Sequence, residues 1–277
     1  QKLLEAVQKD HETGLITNTA PFTNDWARRE VVSHCIYGVD LNELAVELAK
    51  VGLWLTTINK DKPLSFLDHR LKQGNSLIGA SLTKLRYYPG TEPKEMNQTE
   101  LPTSISPRFI GHLLSKIAEI DAIEENQLVD VKNKERVFNE FKQLPEYQRA
   151  KGLANVYIST YFGNTITATE KKSSEAQYQD LVWAIAGNEG EWQYKTRPVW
   201  FKQACNIAKE KSFFHWELEY PEIFFDAGKL RDNPGWDAII GNPPYANAWA
   251  MTDLDNLTRA SIASLSPRKD FLSGHWD

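Results

Sequence analysis

Cysteine is scarce in this chain. Cys35 and Cys205 are the only two, and they lie far apart in the sequence. Neither has a neighbour at C-x-x-C spacing, which argues against a zinc knuckle or a disulfide framework. The expectation is two buried free thiols in a reducing, cytoplasmic compartment. Long apolar runs are missing too. Nothing approaches the roughly 18 uncharged residues of a membrane span. The opening stretch, QKLLEAVQKD, is charged throughout and lacks the apolar core of a signal peptide. Basic charge is in deficit: 32 Lys and Arg stand against 37 Asp and Glu, a net charge of -5. That argues against a stand-alone nucleic-acid binder with a basic face, yet leaves room for an enzyme that touches nucleic acid only at a cleft. The remaining composition, 41% hydrophobic and 25% charged, is that of an ordinary globular domain. Both ends read as cuts. Gln1 falls inside a helical pattern formed by Leu3, Leu4 and Val7, with no cap before it, and the chain stops at Gly274-His275-Trp276-Asp277 without a closing helix. The expectation is a piece of a longer protein.

What is present begins with Cys35-Ile36-Tyr37-Gly38-Val39-Asp40, a short apolar run ending in a carboxylate, which reads as a buried strand. Asn42 is placed to cap a following helix, in which Leu44, Leu48, Val51, Leu55 and Ile58 form one apolar stripe. A second strand is expected at Gln73–Gly79, and a third at Trp236–Gly241, just before Asn242-Pro243-Pro244-Tyr245. Between them lie about 150 residues of different character. Segment 89–107 reads as a linker and 163–180 as a loop. The Lys-, Glu- and Leu-rich stretch from Arg108 to about Arg149, with Ile110, Leu114, Ile117 and Ile120 at helical spacing, reads as an inserted helical hairpin or bundle. The three strand candidates are expected to be parallel neighbours, with Asp40, Asn75 and Asn242 on one sheet edge. The division expected is 1–88 for a cofactor-side part, 89–212 for a mainly helical insertion and 213–277 for a catalytic-motif part.

The tetrapeptide Asn242-Pro243-Pro244-Tyr245 carries the most chemistry. Two prolines fix the backbone and withdraw two N–H donors. A strand running in would set the turn at the carboxyl edge of a sheet, where open α/β folds bind ligands. The Asn242 amide oxygen and the Pro243 carbonyl can both accept hydrogen bonds from an exocyclic amine, and Tyr245 offers a flat face to a planar base. Two acceptors gripping such an amine favour the tetrahedral form that attacks a methyl donor. The bland alternative is a proline-rich turn after a strand.

The string Asp237-Ala238-Ile239-Ile240-Gly241-Asn242-Pro243-Pro244-Tyr245 resembles the catalytic motif of adenine-N6 DNA methyltransferases. Ile36-Tyr37-Gly38-Val39-Asp40-Leu41-Asn42, with Ala45–Lys50 and Leu53-Trp54-Leu55 behind it, resembles the second cofactor motif of large type IIG restriction-modification methylases. Leu67–Gly79 resembles their third, and Phe214–Phe224 the lead-in to their catalytic strand. These motifs stand in the family's order over about a quarter of the chain. The resemblance implies a class I S-adenosylmethionine-dependent methyltransferase fold, an α/β Rossmann-like doubly wound sheet, incomplete and carrying a large helical insertion. It implies methyl transfer from S-adenosylmethionine to N6 of an adenine flipped out of double-stranded DNA, without a metal. It assigns the base-gripping turn to Asn242, Pro243, Pro244 and Tyr245, the ribose contact to Asp40 and an adenine contact to Asn75, with Leu41 and Ser76 beside them. Against these stand ordinary structural roles: a helix-start acid for Asp40, a turn residue for Asn75, core packing for Leu41 and Leu77, and an interface role for His215 and Trp216.

The chain departs from that family in places. The glycine-rich first cofactor loop is absent, since Gly14 is the only glycine before Gly38, and no Pro-Asp dipeptide opens a metal-nuclease signature. On this reading the excerpt alone binds cofactor weakly or not at all. Two other readings compete: a protein glutamine N5-methyltransferase, whose nucleophile is also a planar amide, and a scaffold or binding fragment without catalysis. The long insertion counts against the former.

Overall fold

The computed structural model describes residues 23–91 and 104–241, together with Pro102 and the helical positions Lys2, Glu5, Ala6, Lys9 and Asp10. The polypeptide divides into two compact units, Gln1–Gln73 with Ala118–Asn139, and Gly74–Ile117 with Glu140–Asp277.

The first unit is built on two parallel strands. Helix α1 (Asn24–Cys35) starts at Thr23, whose side chain accepts from the Trp26 amide at 3.1 Å. Strand β1 (Gly38–Asp40) follows, then helix α2 (Glu43–Thr57), then β2 (Leu71–Gln73). Gly38 pairs with Leu71 and Asp40 with Gln73, a parallel register that needs the α2 crossover. Val32, Val46, Leu67 and Leu71 form the core, with Leu53 and Trp54 against it. Asn42 caps α2 as its spacing suggests, its Oδ1 accepting from Leu44 N at 3.0 Å.

The apolar stripe of α2 does not face that core. Leu44, Leu48, Val51, Leu55 and Ile58 are all exposed. Lys50 is buried instead, its ammonium 2.6 Å from Glu47 and 2.8 Å from Asp68. Two carboxylates compensate the buried cation, and they raise its pKa although burial itself acts to lower it. Segment 118–139 adds Glu125 and Phe138. The Glu125 carboxylate accepts from Phe66 N at 2.8 Å and lies 3.4 Å from Lys134.

The second unit is mainly helical: α3 (Pro107–Asp121), of which residues to Ile117 belong here, then the end of α4 (Leu128–Gln143), α5 (Pro145–Ser159), α6 (Ser174–Ala184), α7 (Glu189–Lys195) and α8 (Val199–Glu210). The helical reading of 108–149 holds, and Ile110, Leu113 and Ile117 are the buried line of α3. Helix α5 is buried along most of its length and packs on α8. Arg149 ties it to the start of α7, donating to the carbonyls of Ile185 at 3.1 Å and Gly187 at 2.6 Å and to Glu189 at 2.9 Å. Two short helices follow, α9 (Trp216–Glu219) and α10 (Pro221–Phe224), then a hairpin of β3 (Phe225–Asp226) and β4 (Lys229–Leu230). Its loop residues, Ala227 and Gly228, have φ of 45° and 79°, the left-handed pair that a tight hairpin turn requires.

Five expectations need correction. The first strand is not Cys35–Asp40 and is not buried: Cys35 ends α1, the strand runs only from Gly38 to Asp40, and Gly38 and Val39 are half-buried with Asp40 exposed. The second strand ends at Gln73 rather than starting there. Leu71 and Lys72 are buried in the ladder, whereas beyond Gly74 the chain turns as the Asn75 side chain accepts from Leu77 N. The third strand is not formed: residues 236–241 are irregular, and Ile239 and Ile240 are 80% and 99% exposed. No strand pairs with them among the described residues, and apolar residues without a ladder partner do not make a sheet. Segment 163–180 is not all loop, because Ser173 accepts from Ala176 N and starts α6, which buries Tyr178 and Leu181. Neither cysteine is fully buried. Both are free thiols, Cys35 exposed at the end of α1 and Cys205 half-buried on α8.

Candidate active site

In the first unit the site residues sit where β1 gives way to α2. Asp40 is the last residue of the strand and is exposed. One carboxylate oxygen accepts from Asn42 N at 2.7 Å, and Asn42 in turn caps the helix. Both contacts span two residues, so the chain orders this turn by itself. The carboxylate also lies at the start of a 15-residue helix, where the positive end of the helix dipole favours an anion. Leu41 is 56% exposed, and its carbonyl accepts from Gln73 Nε2 at 3.3 Å. The strand pair beneath is pinned by Arg70, whose guanidinium reaches Asp121 at 2.8 Å and the His34 carbonyl at 3.3 Å and lies 4.6 Å from the Tyr37 ring centre. His69 stacks on Phe66 at 5.5 Å, and burial pushes its pKa down to about 4. The carboxyl of Asp121 is held below its usual range by His69 and Arg70, which outweigh its burial.

In the second unit Asn75, Ser76 and Leu77 form a turn joined to a remote stretch. Asn75 N donates to Ser212 O at 2.7 Å and pairs with Phe213 as a parallel bridge. Phe214 N donates to Ile78 O at 2.8 Å, and Ala80 N to His215 Nδ1 at 3.0 Å. Leu82 N and the Ser81 hydroxyl both donate to Glu217, each at 2.7 Å. Trp216 Nε1 donates to Ser76 O at 2.9 Å. Gly79 is obligatory for this approach, since a Cβ there would collide with the Phe214 carbonyl.

His215 is fully buried and neutral. Burial, helped by the charge of Lys151, pushes its pKa down to about 3. Because Nδ1 accepts from Ala80, the ring proton sits on Nε2, which donates to Asn155 Oδ1 at 2.9 Å. This imidazole is a strut with both nitrogens engaged. Glu217 is half-buried, and desolvation of its carboxyl raises the pKa against the opposing pull of its two donors. Sequence reasoning missed Glu217 and Asn155. An acid directly after the aromatic run Phe213-Phe214-His215-Trp216 was the available signal for Glu217; Asn155 gave none.

An aromatic cluster lies on the chain before Asn242-Pro243-Pro244-Tyr245. Trp216 meets Phe214 at 4.9 Å and Trp236 at 5.0 Å, both edge-to-face. Trp236 also meets Tyr220 at 5.7 Å and Phe224 at 5.5 Å. Six residues beyond Trp236 comes Asn242. Asn242, Pro243, Pro244 and Tyr245 lie outside the described residues.

A strand-to-helix turn ending in a carboxylate, and an asparagine turn bound to an aromatic lead-in, occur in the order the methylase motifs require. The Eco57I restriction-modification methylase family matches residues 34–266. The chain belongs to that family. The chain is also 22% identical over 263 residues to a protein of Methanocaldococcus jannaschii named as a putative type II restriction enzyme and methyltransferase. That alignment covers 83% of this chain and 19% of the relative, so the chain spans about a fifth of the relative's length. No solved structure matches the chain significantly. No helix among the described residues is long and apolar enough to cross a membrane.

Proposed function

We propose that this methylase chain contributes cofactor and target-base contacts to an enzyme that methylates N6 of adenine in double-stranded DNA, in a restriction-modification or phage-defence system. The observation that carries the reading is Asn242-Pro243-Pro244-Tyr245, six residues after the clustered Trp236, within a chain that matches a methylase family from residue 34 to residue 266. The parallel β1–β2 pair supports membership of a doubly wound sheet. The residues fit S-adenosylmethionine by donor chemistry. Asp40 is an exposed carboxylate suited to a sugar diol. Asn75 has its Oδ1 engaged by Leu77 N, which leaves its NH2 group to donate to a ring nitrogen. S-adenosylmethionine supplies an activated methyl group on a sulfonium when bound.

In this scheme Asp40 accepts from the ribose hydroxyls and Asn75 donates to the cofactor's adenine, with Leu41 and Ser76 flanking them. The target adenine leaves the duplex to stack on Tyr245. Asn242 Oδ1 and the Pro243 carbonyl take the hydrogens of its amine, drawing the nitrogen toward the tetrahedral form, while Pro244 keeps the turn rigid. With the cofactor bound, the nitrogen lone pair would take the methyl group as the sulfonium C–S bond broke to leave a neutral thioether, and the surplus proton would pass from the nitrogen to solvent water. Positioning supplies most of the rate, with no covalent enzyme intermediate. The expected setting is the cytoplasm, and the expected layout is 1–88 and 213–277 around the helical insertion 89–212.

The test is single-turnover methylation of an adenine-containing duplex by the full-length protein. Asn242→Ala should lower the rate about 100- to 1,000-fold, as loss of one preorganised partner typically does, with cofactor affinity nearly intact. Tyr245→Phe should keep much of the activity, because the ring face survives. Methyl transfer to a glutamine peptide in place of the duplex would replace this reading with the protein-methyltransferase one.

A further inference from the structure

The second unit holds a cleft of about 930 Å³ that the methyl-transfer scheme does not use. Clefts that take a ligand run from roughly 300 to 1,000 Å³. Its walls come from separate stretches that are tied to one another. On α6, the Tyr178 hydroxyl donates to Leu85 O at 2.8 Å and the Gln179 amide donates to Arg86 O at 3.1 Å. These bonds fix the short 3-10 turn Lys84–Arg86 against the helix. At the hairpin, Gly228 lies so close to Pro107 that a Cβ would meet the Pro107 carbonyl at 2.5 Å, which sets Lys229 beside the start of α3. Ile105 and Val182, both buried, supply apolar wall.

Trp183 lines the same cleft and is 60% exposed. No ring stacks on it among the described residues. Arg86 and Lys229 bring cations to the lining. The Arg86 guanidinium lies 5.1 Å from the Tyr87 ring centre, and no carboxylate pairs with the exposed Lys229 among the described residues. One turn before Trp183, Asp180 carries both Lys172 and Lys195. Asp232 is the one carboxylate on the described lining. In a chain with a net charge of -5, Arg86, Lys172, Lys195 and Lys229 therefore outnumber Asp180 and Asp232 around this indole. A lone exposed apolar side chain is ordinary. An indole among cations on an apolar wall is the arrangement that binds single-stranded nucleic acid, stacking a base and holding its phosphates. An acidic peptide would answer the cations and leave the indole face unused.

We propose that this cleft takes an unpaired stretch of the DNA substrate, with one base stacked on Trp183 and the flanking phosphates on Arg86 and Lys229. This rests on the reading of DNA as substrate, since flipping an adenine out of a duplex leaves its partner unpaired. The Asp232 carboxylate repels phosphate and restricts it to those two cations.

The experiment uses the full-length protein and a labelled single-stranded oligonucleotide, with affinity read by fluorescence anisotropy over a range of salt concentrations. Trp183→Ala should weaken binding about 5- to 150-fold, the stacking of one base, and Trp183→Phe should keep most of the affinity. The exposure of Trp183 means that neither change should disturb the fold. Lys229→Gln should lower the slope of log affinity against log salt by about 0.7, the release expected for one phosphate contact on a single strand. Hydrogen exchange locates the ligand: the oligonucleotide should slow exchange in residues 179–183 and 228–232 of the wild type. Wild-type affinity in Trp183→Ala, or protection confined to other residues, overturns the role of the cleft. So does a full-length protein that methylates adenine in a duplex and binds no single strand. A protein that shows this protection, loses it in Trp183→Ala and methylates no adenine keeps the cleft as a nucleic-acid site and overturns the methyl-transfer reading alone.

Discussion

The turn at Asp40 and the turn at Asn75 are ordered in opposite ways. Asp40 holds Asn42 N, and Asn42 holds Leu44 N, both across two residues of sequence. The Asn75–Leu82 segment is held by Ser212, Phe214, His215, Trp216 and Glu217, more than 130 residues away. A local cap forms as soon as its helix does, and losing it frays one end. A long-range zipper forms only when the insertion has folded, and it is lost as a unit. The first turn can therefore be read from the chain, and the second depends on everything between residues 83 and 211 finding its place.

Perturbing each side measures that contrast, and the largest effect should come from pH. His215 and His69 are neutral and buried, with pKa values pushed down to about 3 and about 4, against about 6.5 unfolded. Below pH 6.5 the unfolded chain takes up protons that the folded chain refuses. Stability should fall by about 1.4 kcal/mol per pH unit for each imidazole. The loss from His69 should level near pH 4 and that from His215 near pH 3. Urea unfolding at pH 7, 6 and 5 reads the slope, and His215→Phe should remove about half of it; an unchanged slope would mean that His215 is not the buried neutral group described.

At fixed neutral pH, Gly79→Ala should cost about 3 kcal/mol, the upper end for overpacking, because the new methyl group meets the Phe214 carbonyl and not a flexible side chain. A measured loss under about 1 kcal/mol would show the zipper to be looser than drawn. Next comes Asn42→Ala, expected to cost about 1 kcal/mol through the lost helix cap. A loss as large as that of Gly79→Ala would erase the distinction between the two turns. Smallest should be Leu48→Gln and Leu55→Gln, both on the exposed stripe of α2, each within about 0.5 kcal/mol in this chain. A loss of about 2 kcal/mol would mean that the stripe is covered.

That stripe shows where periodicity reaches its limit. Leu44, Leu48, Val51, Leu55 and Ile58 identify a helix correctly, since spacing fixes which residues share a face. Spacing does not say which face is covered, and here Val46, Lys50 and Thr57 are the buried ones. Lys50 can be buried because Asp68, distant in sequence, comes to meet it. Ala238-Ile239-Ile240 teaches the same lesson for strands: apolar β-branched residues favour a ladder, yet pairing needs a neighbour that the residues themselves do not supply.

By itself the sequence determined the elements whose causes are local. These are the Asn42 cap, a strand that ends at the Asp40 carboxylate though not its start, the helical character of 108–149 and, through motif order, the methylase family. Hydrogen bonds across two residues and repeats of three and four leave a mark in any short window of chain. Only the tertiary structure decided that β2 stops at Gln73, that His215 is a neutral strut between Ala80 and Asn155, that Glu217 closes the turn at Leu82, and that Trp216 links Ser76 to Trp236. Each of these joins residues separated by tens to more than a hundred positions. Such contacts become favourable only after the intervening helices have met the entropic cost of closing the loop, and that condition leaves no pattern in a short stretch of sequence.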